Sequence, residues 1–191
     1  MEKHYSWRKL NRDELTRVYC SEMRRDFPPS ELKPLIMILD SESAGVAHTW
    51  GVFDGGQLAA YLLMVRPVGS RMSLLDYFAV LPAYRGKGLG AKLLAELPQH
   101  EKFAKAILIE SEWPEKAEDE AMAVRRLGFY ARCGARDTGF TEHLFDAWFR
   151  ILVLPCPDAG PIEDRQAIDA LAECYRKAID EDDWRKYVQF Y

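Results

Sequence analysis

Along the chain, short apolar runs give way to amphipathic stripes as the hydrophobic period switches between two and about 3.6 residues. Residues 4–10 alternate enough to predict a first strand. Asn11-x-x-Glu14 has the form of a capping box, and Leu15, Val18 and Tyr19 follow on one helical face. Pro28-Pro29 ends that helix, and Leu32, Leu35, Ile36 and Leu39 predict a second. Two strand-like runs, 49–53 and 57–65, flank Asp54-Gly55-Gly56, a hairpin signal because its turn suits glycine. Gly69-Ser70 separates them from a third run, 73–80.

Farther on, Leu89, Leu93, Leu94 and Leu97 share a helical face that Pro98 is expected to end. Residues 106–110 predict a short buried strand, and the acidic stretch 112–120 a solvated loop. A helix follows with Met122, Val124, Leu127 and Phe129 as its apolar positions and Gly134 as its C′ residue. Runs 138–144 and 147–154 predict a last hairpin, after which Pro155, Pro157, Gly160 and Pro161 break the chain. Ile168, Leu171, Tyr175 and Ile179 then stand at helical spacing, ahead of a tail with Trp184, Tyr187 and Val188. An order β-α-α-β-β-β-α-β-α-β-β with an added helix is an α+β class. The added helix reads first as a strut on the core, since apolar stripes usually mean core, and second as a dimer contact or a wall of the substrate site.

The most specific chemistry lies in residues 73–97, SLLDYFAVLPAYRGKGLGAKLLAEL. An apolar strand ends at Val80, a proline turn follows, and Gly86, Gly88 and Gly90 open an amphipathic helix. Bare backbone N–H groups at a helix N-terminus favour an anion, here a phosphate or diphosphate, and Arg85 and Lys87 add cationic donors. A Walker A loop is excluded, because five residues after Gly86 stands Ala91 and no Gly-Lys-Ser or Gly-Lys-Thr occurs. Gly86-x-Gly88-x-x-Ala91 does fit the dinucleotide spacing. However, five residues separate Gly86 from the strand, and the upstream runs read as an antiparallel meander rather than a βαβ chain.

A third reading accounts for more of the residues. Val80-Leu81-Pro82-x-Tyr84-Arg85-Gly86-Lys87-Gly88-Leu89-Gly90 resembles the acyl-CoA signature of the GNAT superfamily of N-acetyltransferases. The family pattern Q/R-x-x-G-x-G/A falls on Arg85, Gly88 and Gly90. Residues 126–134, RLGFYARCG, resemble the family's F-Y-x-x-x-G-F helix end, with Ala135 in place of the last phenylalanine. The resemblance covers 5–154. It implies a mixed, mainly antiparallel twisted sheet flanked by helices, with the C-terminal helix as an extra. It further implies one acetyltransferase domain over 1–155, on which a helical extension, 156–191, is packed.

The activity so implied is transfer of an acetyl group from the co-substrate acetyl-CoA to a primary amine, by direct attack in a ternary complex. Phe78, Ala79 and Val80 would offer backbone groups to the pantetheine arm, with an N–H near Val80 facing the developing oxyanion. Arg85, Gly86, Lys87, Gly88, Leu89 and Gly90 would hold the pyrophosphate. Tyr130 takes the general-acid position, and a phenol is protonated at neutral pH. Glu110 is the candidate general base, with Glu112 on the same strand face and a chain of waters as alternatives. His48 and His143 map to no motif. The acceptor, a small-molecule or peptide amine, would be shaped by residues 11–46 and the final hairpin. Trp7, Trp50, Trp148 and Phe149 there read first as packing.

Composition narrows the rest. A 191-residue chain, 48% hydrophobic and 29% charged, suits one globular domain. A net charge of −4 argues against a nucleic-acid partner and tolerates a cationic acceptor. Cys20, Cys133, Cys156 and Cys174 are far apart, the expectation for reduced thiols in a cytoplasmic protein, and no ligand spacing suggests a metal. The N-terminus shows no secretory pattern and the longest apolar run, 58–65, is too short to span a membrane. A homodimer is open. Two other functions stay on the table: an acyl-CoA-binding sensor or regulatory module without turnover, and a nucleotide-binding oxidoreductase.

Overall fold

The computed structural model describes residues 4–29, 31–144, 146–157, 159–178 and 187–191, with backbone alone at 177 and 178. Ile179 and Trp184, expected on the last helix and tail, lie outside the described residues. Strand β1, Ser6–Lys9, leads into helix α1, Arg12–Val18. The capping box is formed: Asn11 accepts from the Glu14 N–H, and Glu14 accepts from the Asn11 N–H, each at 3.0 Å. After a π turn at Tyr19–Met23 come the short α2, Arg24–Asp26, and α3, Leu35–Ser43. Helix α3 starts only after Pro34, so Leu32 packs from the preceding loop and Ile36 is exposed.

Strands β2, Ala47–Asp54, and β3, Gln57–Val65, form the expected hairpin, Gly55 and Gly56 taking φ of 55° and 93°. Strand β4 is Met72–Val80, helix α4 Leu89–His100, β5 Ala106–Glu112 and α5 Glu120–Arg132. Strands β6, Arg136–Leu144, and β7, Ala147–Pro155, precede α6, Asp164–Ala178, and a short β8, Val188–Phe190. All eight strands join one sheet in the order β1-β2-β3-β4-β5-β7-β6-β8, with only β4 and β5 parallel.

Alternation along the central strands gives each face its own core. One face packs Leu63, Leu74, Leu108 and Val153 against Leu15, Ile38, Leu39, Ile168 and Leu171 of α1, α3 and α6. The other packs Leu62, Met64, Ile107 and Leu152 against Leu89, Leu93, Leu94 and Leu97 of α4 and Tyr130 of α5. Covered on both faces, residues 59–65 of β3 are buried without a break, which explains their unbroken apolar run.

Three local expectations need correction. Pro98 does not end α4, which runs on to His100. Pro98 costs one backbone bond near the helix end, and the four buried leucines hold the last turn in place. Helix α5 is phased differently from its expected stripe: Met122 and Val124 are exposed, while Ala123 and Tyr130 face the sheet. Its N-cap Asp119 accepts from the Met122 N–H, and the packing of Tyr130 on the sheet sets that phase. Lastly, part of the expected C-terminal tail is a strand, with residues 188–190 pairing to 142–144.

Candidate active site

The sheet opens at its centre. Strand β4 is bonded to β5 only at Met72–Ala106, Ser73–Ile107 and Leu74–Leu108. Beyond that point β4 follows β3 up to the pair Ala60–Val80, and β5 follows β7 up to the pair Glu112–Phe149. A bulge begins the divergence: Leu75 faces Met64 and Tyr77 faces Leu63, leaving Asp76 as the extra residue. Bulges bend their strand and add twist, and here the bend carries residues 75–80 away from β5. Among the described residues, no strand pairs with the β5-facing edge of that segment. An extended ligand arm could take its place.

Phe78, Ala79 and Val80 are half-buried on this freed segment. Phe78 and Val80 face the α4 and α5 side, while Ala79 faces the other. The chain then turns through Pro82–Tyr84 into the glycine run. Gly86 and Gly88 have φ of 73° and 77°, which disfavours any side chain there, and nothing would lie within 4 Å of an added Cβ. Gly88 is the N-cap of α4 and supplies no side-chain acceptor to the first-turn N–H groups. These groups therefore have no side-chain cap at the positive end of a twelve-residue helix.

The two cations of the run are partly engaged. The Arg85 Nε donates to the Val80 carbonyl at 2.7 Å, and its guanidinium bonds Asp26 at 2.8 Å. Lys87 Nζ donates to the Ala83 carbonyl at 2.9 Å and is exposed. Burial pushes the Asp26 carboxyl up, but bonds from Arg25, Tyr61 and Arg85 outweigh it and hold it below the ordinary range. Asp26 thus pins the glycine loop to the helices after β1, a link no local pattern announces.

Leu89 is buried, and Gly90 lets α4 approach α5: an added Cβ would lie 3.3 Å from Phe129 and 3.7 Å from Val80. Phe129 is in turn 5.3 Å from the Tyr130 ring. The two sequence motifs therefore meet at the end of β4. Burial pushes the Tyr130 phenol up to about 12, with Arg126 opposing it, so the hydroxyl is a proton donor throughout the neutral range.

Glu110 stands two residues beyond the last β4–β5 pair, on the opposite face of the sheet from Tyr130. The two meet only through the opening. Tyr175 of α6 donates its hydroxyl to Glu110, 2.8 and 2.7 Å from the two oxygens. Burial raises the Glu110 carboxyl, although bonds from Glu142 and Tyr175 act against it. Glu112 is 2.8 Å from Arg126 in an ion pair. His48 is 2.6 Å from the buried Glu101, which also accepts from Trp50 and Ser73, and His143 stacks on Trp148. Both histidines are structural. Trp7 packs edge-on to Trp50 and bonds Glu96, so these rings hold the sheet to the end of α4.

Asp76, Glu142 and Tyr175 escaped the sequence reading. Glu142 had one signal, a carboxylate between Phe140 and Leu144 on an inward-facing strand row. Tyr175 was read only as part of an apolar stripe. Among the described residues, no group of three or more His, Cys, Asp or Glu could hold a metal ion, and no helix is long and apolar enough to cross a membrane.

The sheet splits at a bulge, with a glycine-rich helix N-terminus that favours an anion at the mouth of the opening. Residues 45–134 match the sequence family described as Acetyltransferase (GNAT) domain, and that match supports an enzyme using acetyl-CoA to acetylate an amine. Solved structures share the fold. Spermidine N-acetyltransferase from Vibrio cholerae, in complex with CoA and spermine, aligns with a TM-score of 0.62 and 12% identity over 83% of this chain and 99% of its own. A protein from Bacteroides thetaiotaomicron assigned to the GNAT family aligns at 0.66 and 22% identity, over 92% and 99%. The ribosomal-protein-S18-alanine N-acetyltransferase from Escherichia coli aligns at 0.61 and 19% identity, over 82% and 97%. No curated protein matches the chain by sequence.

Proposed function

We propose that the chain binds acetyl-CoA and a primary amine together in the opening between β4 and β5, where the amine attacks the thioester directly. The observation that carries this reading is the loss of β4–β5 pairing after Leu74 with the glycine cradle at its mouth. Residues 85–90 hold the diphosphate, and 78–80 bond the pantetheine arm, with an N–H near Val80 donating to the oxyanion. Glu110 accepts the amine's proton from one face, and Tyr130 gives its proton to the departing sulfur from the other. Arg85 keeps its bond to Asp26, setting the loop's position more than contacting phosphate.

The domain is read as 1–155, with 156–191 as an extension whose helix walls the acceptor side. All four cysteines are free thiols, which suits a cytoplasmic enzyme. The acceptor is a cationic amine. The neighbours' names include a polyamine and a protein alanine, and the Glu110 carboxylate suits either ammonium. A binding module without turnover is not favoured, since the matched family and the neighbours' names are those of acetyltransferases.

Thermal unfolding with and without acetyl-CoA tests the co-substrate, with NAD and ATP as controls. At about 100 times its Kd a ligand adds roughly 2.7 kcal/mol of stability. Release of CoA thiol in the presence of spermidine, an alanine-first peptide or lysine then tests transfer. No shift with acetyl-CoA, or thiol release from none of the amines, overturns the corresponding half.

A further inference from the structure

Glu142 is the least explained charged residue in the molecule. It lies on β6 with no solvent exposure, and neither carboxylate oxygen receives a hydrogen bond from a conventional donor among the described residues. Its neighbour is another carboxylate, Glu110, which lies on the same sheet face across β7 and whose charge acts on it. The cation that acts on both carboxyls, Lys33, is spent on Asp76, to whose oxygens its Nζ donates at 2.8 and 2.7 Å. Two adjacent buried carboxylates cannot both ionise without a cation between them. A charged Glu142 would be sealed from water with no donor, whereas a neutral Glu142 carries its own O–H and has an acceptor beside it.

Burial differs between the two in a way that assigns the proton. Glu110 keeps partial exposure at the sheet opening, and Glu142 has none. The charge belongs on the more exposed member, and the proton on the sealed one. Tyr175 then completes the set, since its hydroxyl already donates to Glu110 from α6.

We propose that Glu142 is held as a neutral carboxylic acid whose O–H, with the Tyr175 hydroxyl, orients Glu110 as the proton-accepting carboxylate of the acceptor site. Glu142 and Tyr175 are positioning residues: both act through Glu110. Helix α6 thereby becomes part of the acceptor site as well as a strut. The inference rests on the reading of Glu110 as the base. In that step the ammonium loses one proton to Glu110, and the nitrogen lone pair forms the C–N bond. The C–S bond breaks with its electron pair on sulfur, which takes the Tyr130 proton. The second nitrogen proton returns to Tyr130 through water, and Glu110 releases its own to solvent.

The titratable groups that act on the pair are Asp76 on β4, Lys33 before α3, and Cys174 and Tyr175 on α6. Burial first, then the Glu110 charge, raises Glu142 well above the ordinary range, while the Glu142 bond lowers Glu110. Removing either donor should therefore raise the Glu110 pKa, because the ionised form loses a hydrogen bond.

The test is an infrared titration of the full chain carrying 13C-labelled glutamate, for wild type and Glu142→Gln, Glu142→Leu, Tyr175→Phe and Glu110→Gln. At neutral pH the difference between wild type and Glu142→Gln should show one protonated carboxyl. The Glu110 titration should move up by about one pH unit in Glu142→Leu and Tyr175→Phe, and less in Glu142→Gln, whose amide still donates. The pH profile of kcat/KM for an amine turned over in the panel should move with it. If Glu142→Leu fails to fold, Tyr175→Phe and Glu142→Gln carry the test. An ionised Glu142, or a Glu110 titration that stays or moves down, overturns the proposal. Full turnover by Glu110→Gln overturns the base reading alone, while the infrared result still decides the state of Glu142.

Discussion

Gly90 and Phe129 are in closest permitted contact: a methyl group on residue 90 would stand 3.3 Å from the ring of Phe129. Through this point the start of α4, the end of β4 and the end of α5 form one rigid corner, bringing the glycine run to the tyrosine. Gly90→Val should push Phe129 off its position. Overpacking of this kind costs about 1–3 kcal/mol. Denaturant unfolding should show that loss together with weaker acetyl-CoA binding, and normal affinity would mean that the corner does not position the cradle.

Gly88→Asp should abolish acetyl-CoA binding in a folded protein. Position 88 has φ of 77° and caps α4, so a carboxylate there is strained and sits where the diphosphate would. Calorimetric titration with acetyl-CoA decides it, and a dissociation constant near that of the wild type would remove the cradle from the binding site.

Tyr130→Phe should lower turnover by about 10²-fold or more with little change in acetyl-CoA affinity. With its phenol pushed up to about 12, Tyr130 is protonated across the working range. The alkaline limb of the wild-type profile should therefore show no tyrosine titration below about pH 10. Unchanged turnover in the variant would exclude Tyr130 as the acid.

Glu101 offers a test of the frame apart from the chemistry. Burial pushes its carboxyl up, but bonds from His48, Trp50 and Ser73 prevail and lower it. A group whose folded pKa lies below its unfolded value stabilises above the unfolded value, and that stability is lost as pH falls through the folded one. Glu101→Gln should cost about 1–3 kcal/mol at neutral pH. The difference from wild type should shrink as acid protonates Glu101, which urea unfolding at several pH values would measure. A gap independent of pH would assign the cost to shape rather than charge.

Short-range patterns carried most of the architecture. The capping box at Asn11 and Glu14, the Gly55-Gly56 turn and the leucine face of α4 each depend on residues within a turn or two of one another. Signals failed where the answer depended on distant packing. Met122 and Val124 spaced like core residues, yet Ala123 and Tyr130 are the ones that face the sheet. Pro98 read as a stop, yet buried leucines carried the helix past it.

The candidate site divides the same way. Arg85–Gly90 stood out because a glycine-rich turn before a helix has local requirements, and the Phe129–Tyr130 pair stood out through the family resemblance. Asp26 reaches Arg85 across 59 residues and Tyr175 reaches Glu110 across 65, and no spacing encodes such contacts. The sequence by itself determined where an anion could rest and which elements surround it, because backbone conformation there follows from glycine and helix termini. Only the tertiary structure decided that β4 and β5 part after Leu74. It likewise placed Glu110 and Tyr130 on opposite faces of that opening and sealed Glu142 beneath α6. These outcomes depend on a bulge, a sheet register and the docking of the last helix, each of which is set by contacts between segments far apart in the chain.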